Sequence, residues 1–164
     1  LTLTKGSPRA TLNSRTCEEN AMNVLHIMKL KGSSAVETIT PEATVAEAAD
    51  KLAAKRFGAL VVSATGKDIA GILSERDIVR ALAREAGGCL TMPVSKLMTE
   101  TVETCAPAET ANSVLQRMTA GRFRHMPVIE DGKMVGLLSI GDVVKARMAE
   151  IEQENAALVG MISG

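Results

Sequence analysis

Two Ser-x-x-Asp segments, Ser74-Glu75-Arg76-Asp77 and Ser139-Ile140-Gly141-Asp142, hold the residues in this chain best placed to do chemistry. Each follows an apolar run opened by glycine, Gly71-Ile72-Leu73 or Gly136-Leu137-Leu138, and each begins a stretch of helical pattern. A serine at an N-cap and an acid three residues on satisfy orphan N–H groups and suit the helix dipole. Capping alone accounts for one such segment, and its repetition calls for more. A carboxylate at a helix start repels a phosphate placed directly there. It accepts hydrogen bonds from a vicinal diol instead, as the acidic residue of a dinucleotide fold does for ribose. The hydroxyl and the free N–H groups offer a second polar contact. The pair reads as a ribose-binding arrangement.

Cations for a phosphate stand close by in sequence. Arg76 lies inside the first segment, Lys55 and Arg56 precede it, and Arg122, Arg124 and His125 occupy the second half. Arginine matches phosphate oxygens well, whereas Lys55 reads better as a solvated helix-end charge. Arg124 and His125 replace Gly58 and Ala59, so two clefts built from these halves are chemically unequal. A base would slide between apolar strands near Val36, Ile39 and Val102.

The elements that must position these residues occur twice. VETITPEAT…RFGALVV…GK…GILSERDIV answers to VETCAPAET…RFRHMPV…GK…GLLSIGDVV, and the only two aromatic residues, Phe57 and Phe123, fall at equivalent places. The offset is 66 from Val36/Val102 to Gly66/Gly132 and 65 at Asp77/Asp142. So long a period, used twice, predicts two half-domains on a pseudo-twofold axis and not a solenoid. Thr44 and Thr110 are N-caps, with Glu47 completing a capping box in copy one only. Residues 45–56 and 111–120 carry an apolar stripe of helical period. Short strands follow at 59–63 and 126–130, then turns containing Gly66 and Gly132, then strands at 69–73 and 134–138. Helices close each copy at Glu75–Glu85 and from Ile140 onward. Pro127 sits near a strand start, where a missing N–H is tolerable. The fold class is α/β (α+β), a β-α-β-β-α unit repeated. Residues 22–90 form copy one, 91–148 copy two and 149–164 a helical extension. Residues 1–21 read as a flexible arm or an extension ahead of a natural start at Met22.

Bulk properties narrow the function. Among 164 residues, 19 Lys+Arg balance 19 Asp+Glu, so no broad basic field exists to hold nucleic acid or an anionic membrane. Cys17, Cys89 and Cys105 are odd in number and lack metal-type spacing, which fits reduced thiols in a cytoplasmic protein. With His26 and His125 the only histidines, no metal site is expected. No apolar run reaches membrane-spanning length.

With these features in hand, the chain resembles a tandem pair of cystathionine β-synthase (CBS) domains, the Bateman module, over roughly residues 22–148. The resemblance rests on the V-x-x-[IL]-M prelude (Val24 to Met28, Val94 to Met98), the extended segment with its Pro, the [RK]-F-x-x-x-x-V strand and the G-h-h-S-x-x-D junction. It implies paired clefts that bind adenosine derivatives: AMP foremost, with ADP, ATP, S-adenosylmethionine or NAD(H) as alternatives. It also implies ribose contacts from Asp77 and Asp142, assisted by Ser74 and Ser139. In such pairs the junction of one copy faces the early strands of the other. Asp142 would share a cleft with Thr38, Gly58 and Ala59, and Asp77 would share one with Thr104, Arg124 and His125. Arg76 would join the phosphate contacts.

Beyond Met148 the chain adds a seam. Val144, Met148, Ile151, Asn155, Leu158 and Ile162 are spaced 4-3-4-3-4, a heptad pattern with one polar member. It either joins two chains or docks on its own domain. Members of the family commonly form homodimeric discs, and the seam could support one or meet a client protein. Three functional classes stand: a regulatory nucleotide sensor, a scaffold whose clefts stay empty, and a nucleotide-acting enzyme. The sequence has no P-loop, no G-x-S-x-G elbow and no metal cluster, which disfavours the enzyme.

Overall fold

A computed structural model of the protein describes residues 22–32 and 36–162, so the reading of residues 1–21 falls outside the described residues. The first half contains α1 (Val24–Lys31), β1 (Thr38–Ile39), α2 (Val45–Lys55), β2 (Ala59–Val62), β3 (Gly71–Ser74) and α3 (Glu75–Glu85). Two 3-10 turns, Gly88–Thr91 and Val94–Lys96, lead into α4 (Ala111–Gly121), β4 (His125–Glu130), β5 (Lys133–Ser139) and α5 (Ile140–Ile162). The mixed α/β repeat and the long last helix are both present.

Local chemistry sets the helix ends. Thr44 Oγ1 accepts from the Glu47 N–H, and Glu47 accepts in return from Thr44 N, closing the box. Thr110 caps α4 through the Ser113 N–H alone. Arg56 and Arg122 end α2 and α4 in the left-handed region, at φ 54° and 57°. A residue with a Cβ pays about 1 kcal/mol or more there, and both copies retain the arginine.

The two copies differ in their sheets. In the first, β1 runs parallel to β2, with Thr38 opposite Val61, and β2 runs antiparallel to β3, with Ala59 opposite Ser74. In the second, β4 and β5 pair antiparallel, with His125 opposite Ser139, while the V-E-T segment makes only a single parallel bridge from Cys105 to Val128. Pro127, standing where copy one has Val61, has no N–H to donate across this ladder. What remains is Cys105 N donating to the Pro127 carbonyl and Ile129 N donating to the Cys105 carbonyl. Copy two thus loses its named first strand to one proline.

Each prelude packs into the other copy. Val24 and Ile27 belong to the core formed by Val114, Met118, Met126, Val128, Leu138 and Val143, whereas Val94 belongs to the core of Val45, Leu52, Leu60, Leu73 and Ile78. Backbone bonds fasten both exchanges, from Val24 N to the Glu109 carbonyl and from Val94 N to the Ala43 carbonyl. The two prelude methionines lie on glycines: Met28 covers Gly136, and Met98 covers Gly71. Burying a Val or Ile side chain contributes about 1.5–3 kcal/mol. Three such residues exchanged between copies are a large share of the ~5–15 kcal/mol net stability of an ordinary domain. The exchange therefore ties the halves into one folding unit.

Candidate functional site

Strand register brings each Ser-x-x-Asp junction beside the strand entry of its own copy, Ser74 against Ala59 and Ser139 against His125. Two clefts lie on either side of this central region. The larger, of about 600 Å³, is lined by Ser74, Arg76 and Asp77 of copy one and by Val102, Arg124 and His125 of copy two, among others. The smaller, of about 390 Å³, is lined by Lys31, Val36, Arg56 and Phe57 together with Ser139. Gly58, Ala59, His125 and Ser139 line both and form a common wall.

The two aspartates are in different states. Asp77 Oδ2 accepts from Ser74 N at 2.9 Å and Ser74 Oγ at 2.6 Å. Its Oδ1 has no partner among the described residues. The Ser74 proton is thus already committed, and that hydroxyl meets a ligand only as an acceptor. Asp142 Oδ2 accepts from Ser139 N at 2.9 Å and from Lys31 Nζ at 2.9 Å, and Lys31 also donates to the Leu137 carbonyl at 3.0 Å. Burial pushes the Asp142 carboxyl up, but the hydrogen bonds from Ser139 and Lys31, with the Lys31 charge, hold it below the usual carboxylate range. Lys31 lines the smaller cleft, whereas Asp142, expected there, is among the lining residues of neither cleft.

His125 stands over Gly58. A Cβ built on Gly58 would lie 3.0 Å from its Cε1 and 3.2 Å from its Nε2, so glycine permits the close approach of strand entry and ring. Burial lowers the His125 pKa, the Lys31 and Arg124 charges lower it further, and Asp142 opposes them. These influences favour the neutral ring, and an anion entering beside it would favour its protonated form.

Asp77, Ser74, Arg76, Arg124 and His125 thus share one cleft, which also takes in Gly58 and Ala59. Thr104 is not among its lining residues: its carbonyl accepts from Arg117 Nη2, and Val102 and Glu103 face the cleft in its place. Thr38 does not line the smaller cleft either. It lies within β1, parallel to β2, and its carbonyl accepts from Lys51 Nζ at 2.8 Å. Neither threonine is therefore among the cleft-lining residues: Thr38 belongs to β1, and Thr104 lies just before the Cys105 bridge. Gly58 and Ala59, expected with Asp142, belong equally to the Asp77 side. Sequence reasoning missed Lys31, Arg80 and the two phenylalanines, Phe123 in the larger cleft and Phe57 in the smaller. Arg80 carried a readable signal, since it follows Arg76 by four residues and so shares its helix face. The arginines at the left-handed helix ends obey the same symmetry, Arg122 lining the larger cleft and Arg56 the smaller. Among the described residues, no group of three or more His, Cys, Asp or Glu could hold a metal ion. No described helix is long and apolar enough to cross a membrane.

The seam on α5 does not dock on its own domain. Residues 151–161 are all exposed, as are Val144 and Met148 before them.

The family model for the CBS domain matches residues 22–84 and 94–149. Over 145 residues the chain is 37% identical to the mitochondrial CBS domain-containing protein CBSX3 of Arabidopsis thaliana, covering 84% of this chain and 70% of that protein. It spans about a quarter of the length of several longer plant relatives. A crystal structure of the CBS-domain protein ATU1752 from Agrobacterium tumefaciens superposes with a TM-score of 0.74 at 40% identity, covering 77% of this chain and 99% of that one. The CBS domain protein PAE2072 from Pyrobaculum aerophilum, solved complexed with AMP, superposes at 0.65 with 27% identity over 74% of this chain and 89% of that one. With two matches to one family model covering most of its length and relatives of this identity and coverage, the chain belongs to the CBS-domain family as a tandem pair.

Proposed function

We propose that the protein is a regulatory module that reversibly binds an adenine nucleotide in the cleft containing Asp77 and performs no chemistry on it. The observation that carries this reading is the meeting, in one cleft of about 600 Å³, of the unpartnered Asp77 Oδ1 with Arg76, Arg124 and His125. The volume lies within the ~300–1,000 Å³ typical of small-molecule sites. Asp77 receives the ribose diol, the basic side receives phosphate, and Val102 with Phe123 offers an apolar surface for the base. The AMP bound by the Pyrobaculum relative supports the ligand class. AMP, ADP, ATP and NAD(H) all carry the required adenosine. Any second site in the smaller cleft is weaker, because Asp142 does not line it and is held by Lys31.

Ligand binding acts as a signal only by favouring one arrangement of the molecule over another. A client or a second copy of the chain would read that arrangement, and the exposed α5 seam is the surface offered to it. Isothermal titration with AMP, ADP, ATP and NADH tests the reading, alongside Asp77→Ala and Asp142→Ala variants and light scattering for mass. Saturable binding lost in Asp77→Ala and retained in Asp142→Ala supports it. Absence of binding by all four ligands overturns it in favour of a scaffold.

A further inference from the structure

The larger cleft carries more positive charge than a nucleoside monophosphate requires. Arg76 and Arg80 stand one turn apart on α3, and Arg122 and Arg124 flank Phe123 where α4 gives way to β4; all four line this cleft. None of the four side chains makes a hydrogen bond or ion pair within the described residues. That is not the general condition of buttressing arginines here. Arg117 is held by Glu103 and Glu109, and Arg147 by Glu150 and Glu154. Among the described arginines the unpaired ones are Arg56, Arg76, Arg80, Arg84, Arg122 and Arg124, so most of the uncompensated guanidinium groups gather on one cleft.

The carboxylates there do not cancel this charge. Glu103 is committed to Arg117 at 2.8 Å, which leaves Asp77 and Glu75 as two carboxylates against four guanidinium groups. The smaller cleft is built differently. Its Lys31 is neutralised by Asp142 at 2.9 Å, and Arg56 is the single guanidinium on its wall. One phosphate is satisfied by one or two forked arginine contacts. Like-charged groups held close together without counter-charges are unfavourable unless an anion joins them.

We infer that the larger cleft is a polyphosphate site, taking a nucleoside di- or triphosphate through Arg76, Arg80, Arg122 and Arg124, whereas the smaller cleft does not discriminate phosphate number. This rests on the nucleotide reading above and adds Arg80 and Arg122 as specificity determinants. All four arginines are exposed, so their replacement leaves both cores intact.

The test is isothermal titration of the full chain with adenosine, AMP, ADP, ATP and GTP, repeated on Arg122→Gln/Arg124→Gln and on Arg76→Gln/Arg80→Gln. Circular dichroism verifies that each variant is folded. The expected result is at least a tenfold gain in affinity from AMP to ATP, with each double variant losing tenfold or more for ATP and distinctly less for AMP. AMP binding as tightly as ATP, or an ATP preference that survives both double variants, overturns the inference while leaving the nucleotide reading in place. GTP binding equal to ATP keeps the polyphosphate site and removes the adenine requirement. Failure of every ligand, adenosine included, overturns both.

Discussion

Replacing Gly71 with alanine should cost far more than the same change at its repeat partner Gly136, although both are buried glycines opening equivalent G-h-h-S segments. A Cβ at Gly71 would lie 2.6 Å from Met98 Sδ, 2.9 Å from Met98 Cγ and 2.9 Å from the Thr99 carbonyl oxygen. That carbonyl cannot easily retreat. It accepts from Ile72 N at 3.0 Å, and Thr99 N donates back to the Ile72 carbonyl at 2.9 Å, so moving it loosens a bridge on both sides. At Gly136 the near atom is the terminal methyl of Met28, 2.6 Å away, with Sδ already at 3.3 Å, and rotation of an unbranched side chain clears it. Overpacking in a rigid setting costs ~1–3 kcal/mol, and Gly71→Ala belongs at the upper end, about 2–3 kcal/mol. For Gly136→Ala the packing cost is small and is offset by the ~0.4–1 kcal/mol that alanine gains through the unfolded chain, giving a net change near zero. With a urea slope of about 2 kcal/mol per molar, the Gly71→Ala midpoint should fall by roughly 1 M while that of Gly136→Ala stays nearly fixed. Equal losses at the two positions would refute the argument that backbone and side-chain obstacles differ. Thr99 also lines the larger cleft, so Gly71→Ala should weaken nucleotide binding as well as stability.

Three further outcomes follow from geometry and charge. Because the folded His125 pKa is depressed below its unfolded value of about 6.5, its contribution to stability is intact above that pH. It is lost progressively as the pH falls through about 6.5 toward the folded value, with a slope of at most about 1.4 kcal/mol per pH unit. His125→Gln should flatten urea stability between pH 7 and 5, and an unchanged slope would show that the ring is not held neutral. The Cys105 thiol is pushed up to about 12, chiefly by burial and then by the Glu109 charge, and Cys89 is fully buried. Alkylation at pH 8 followed by peptide mapping should therefore find both cysteines unlabelled until denaturant is added; rapid native labelling of Cys105 would contradict this burial. On α5, Met148→Glu/Leu158→Glu changes exposed side chains and should leave the melting temperature of the domain within a few degrees, while lowering the mass seen by light scattering if the seam joins copies of the chain. An oligomer of undiminished mass would place the interface elsewhere.

Much of the fold could be read from the chain because local signals agreed with one another. Thr44 and Thr110 mark helix starts, period-3.6 stripes mark α2 and α4, and glycine turns separate strand pairs. The junction serines and aspartates were visible for the same reason, since a cap has a short-range grammar. What stayed hidden was non-local. Nothing in the V-x-x-[IL]-M spacing says that Val24 belongs with Met118 instead of Leu52, because either core would accept a buried valine. The capture of Asp142 by Lys31 spans 111 residues, and no pattern along the chain points to it. The resemblance implies cleft positions for Thr38 and Thr104, yet strand pairing holds Thr38 in β1 and the Arg117 side chain takes the Thr104 carbonyl. Pro127 was read as harmless near a strand start, and its missing N–H proved to remove the first strand of a whole copy.

The wall of Gly58, Ala59, His125 and Ser139 has a thermodynamic consequence. With one set of atoms facing two compartments, any free energy by which a ligand in the larger cleft alters affinity in the smaller one is returned unchanged in the opposite direction. Were a nucleotide to bind beside Asp77 and a second compound beside Lys31, each would change the affinity of the other by one and the same factor. Gly58, against which the His125 ring lies, is the position in that wall where a single added methyl would press on both clefts at once.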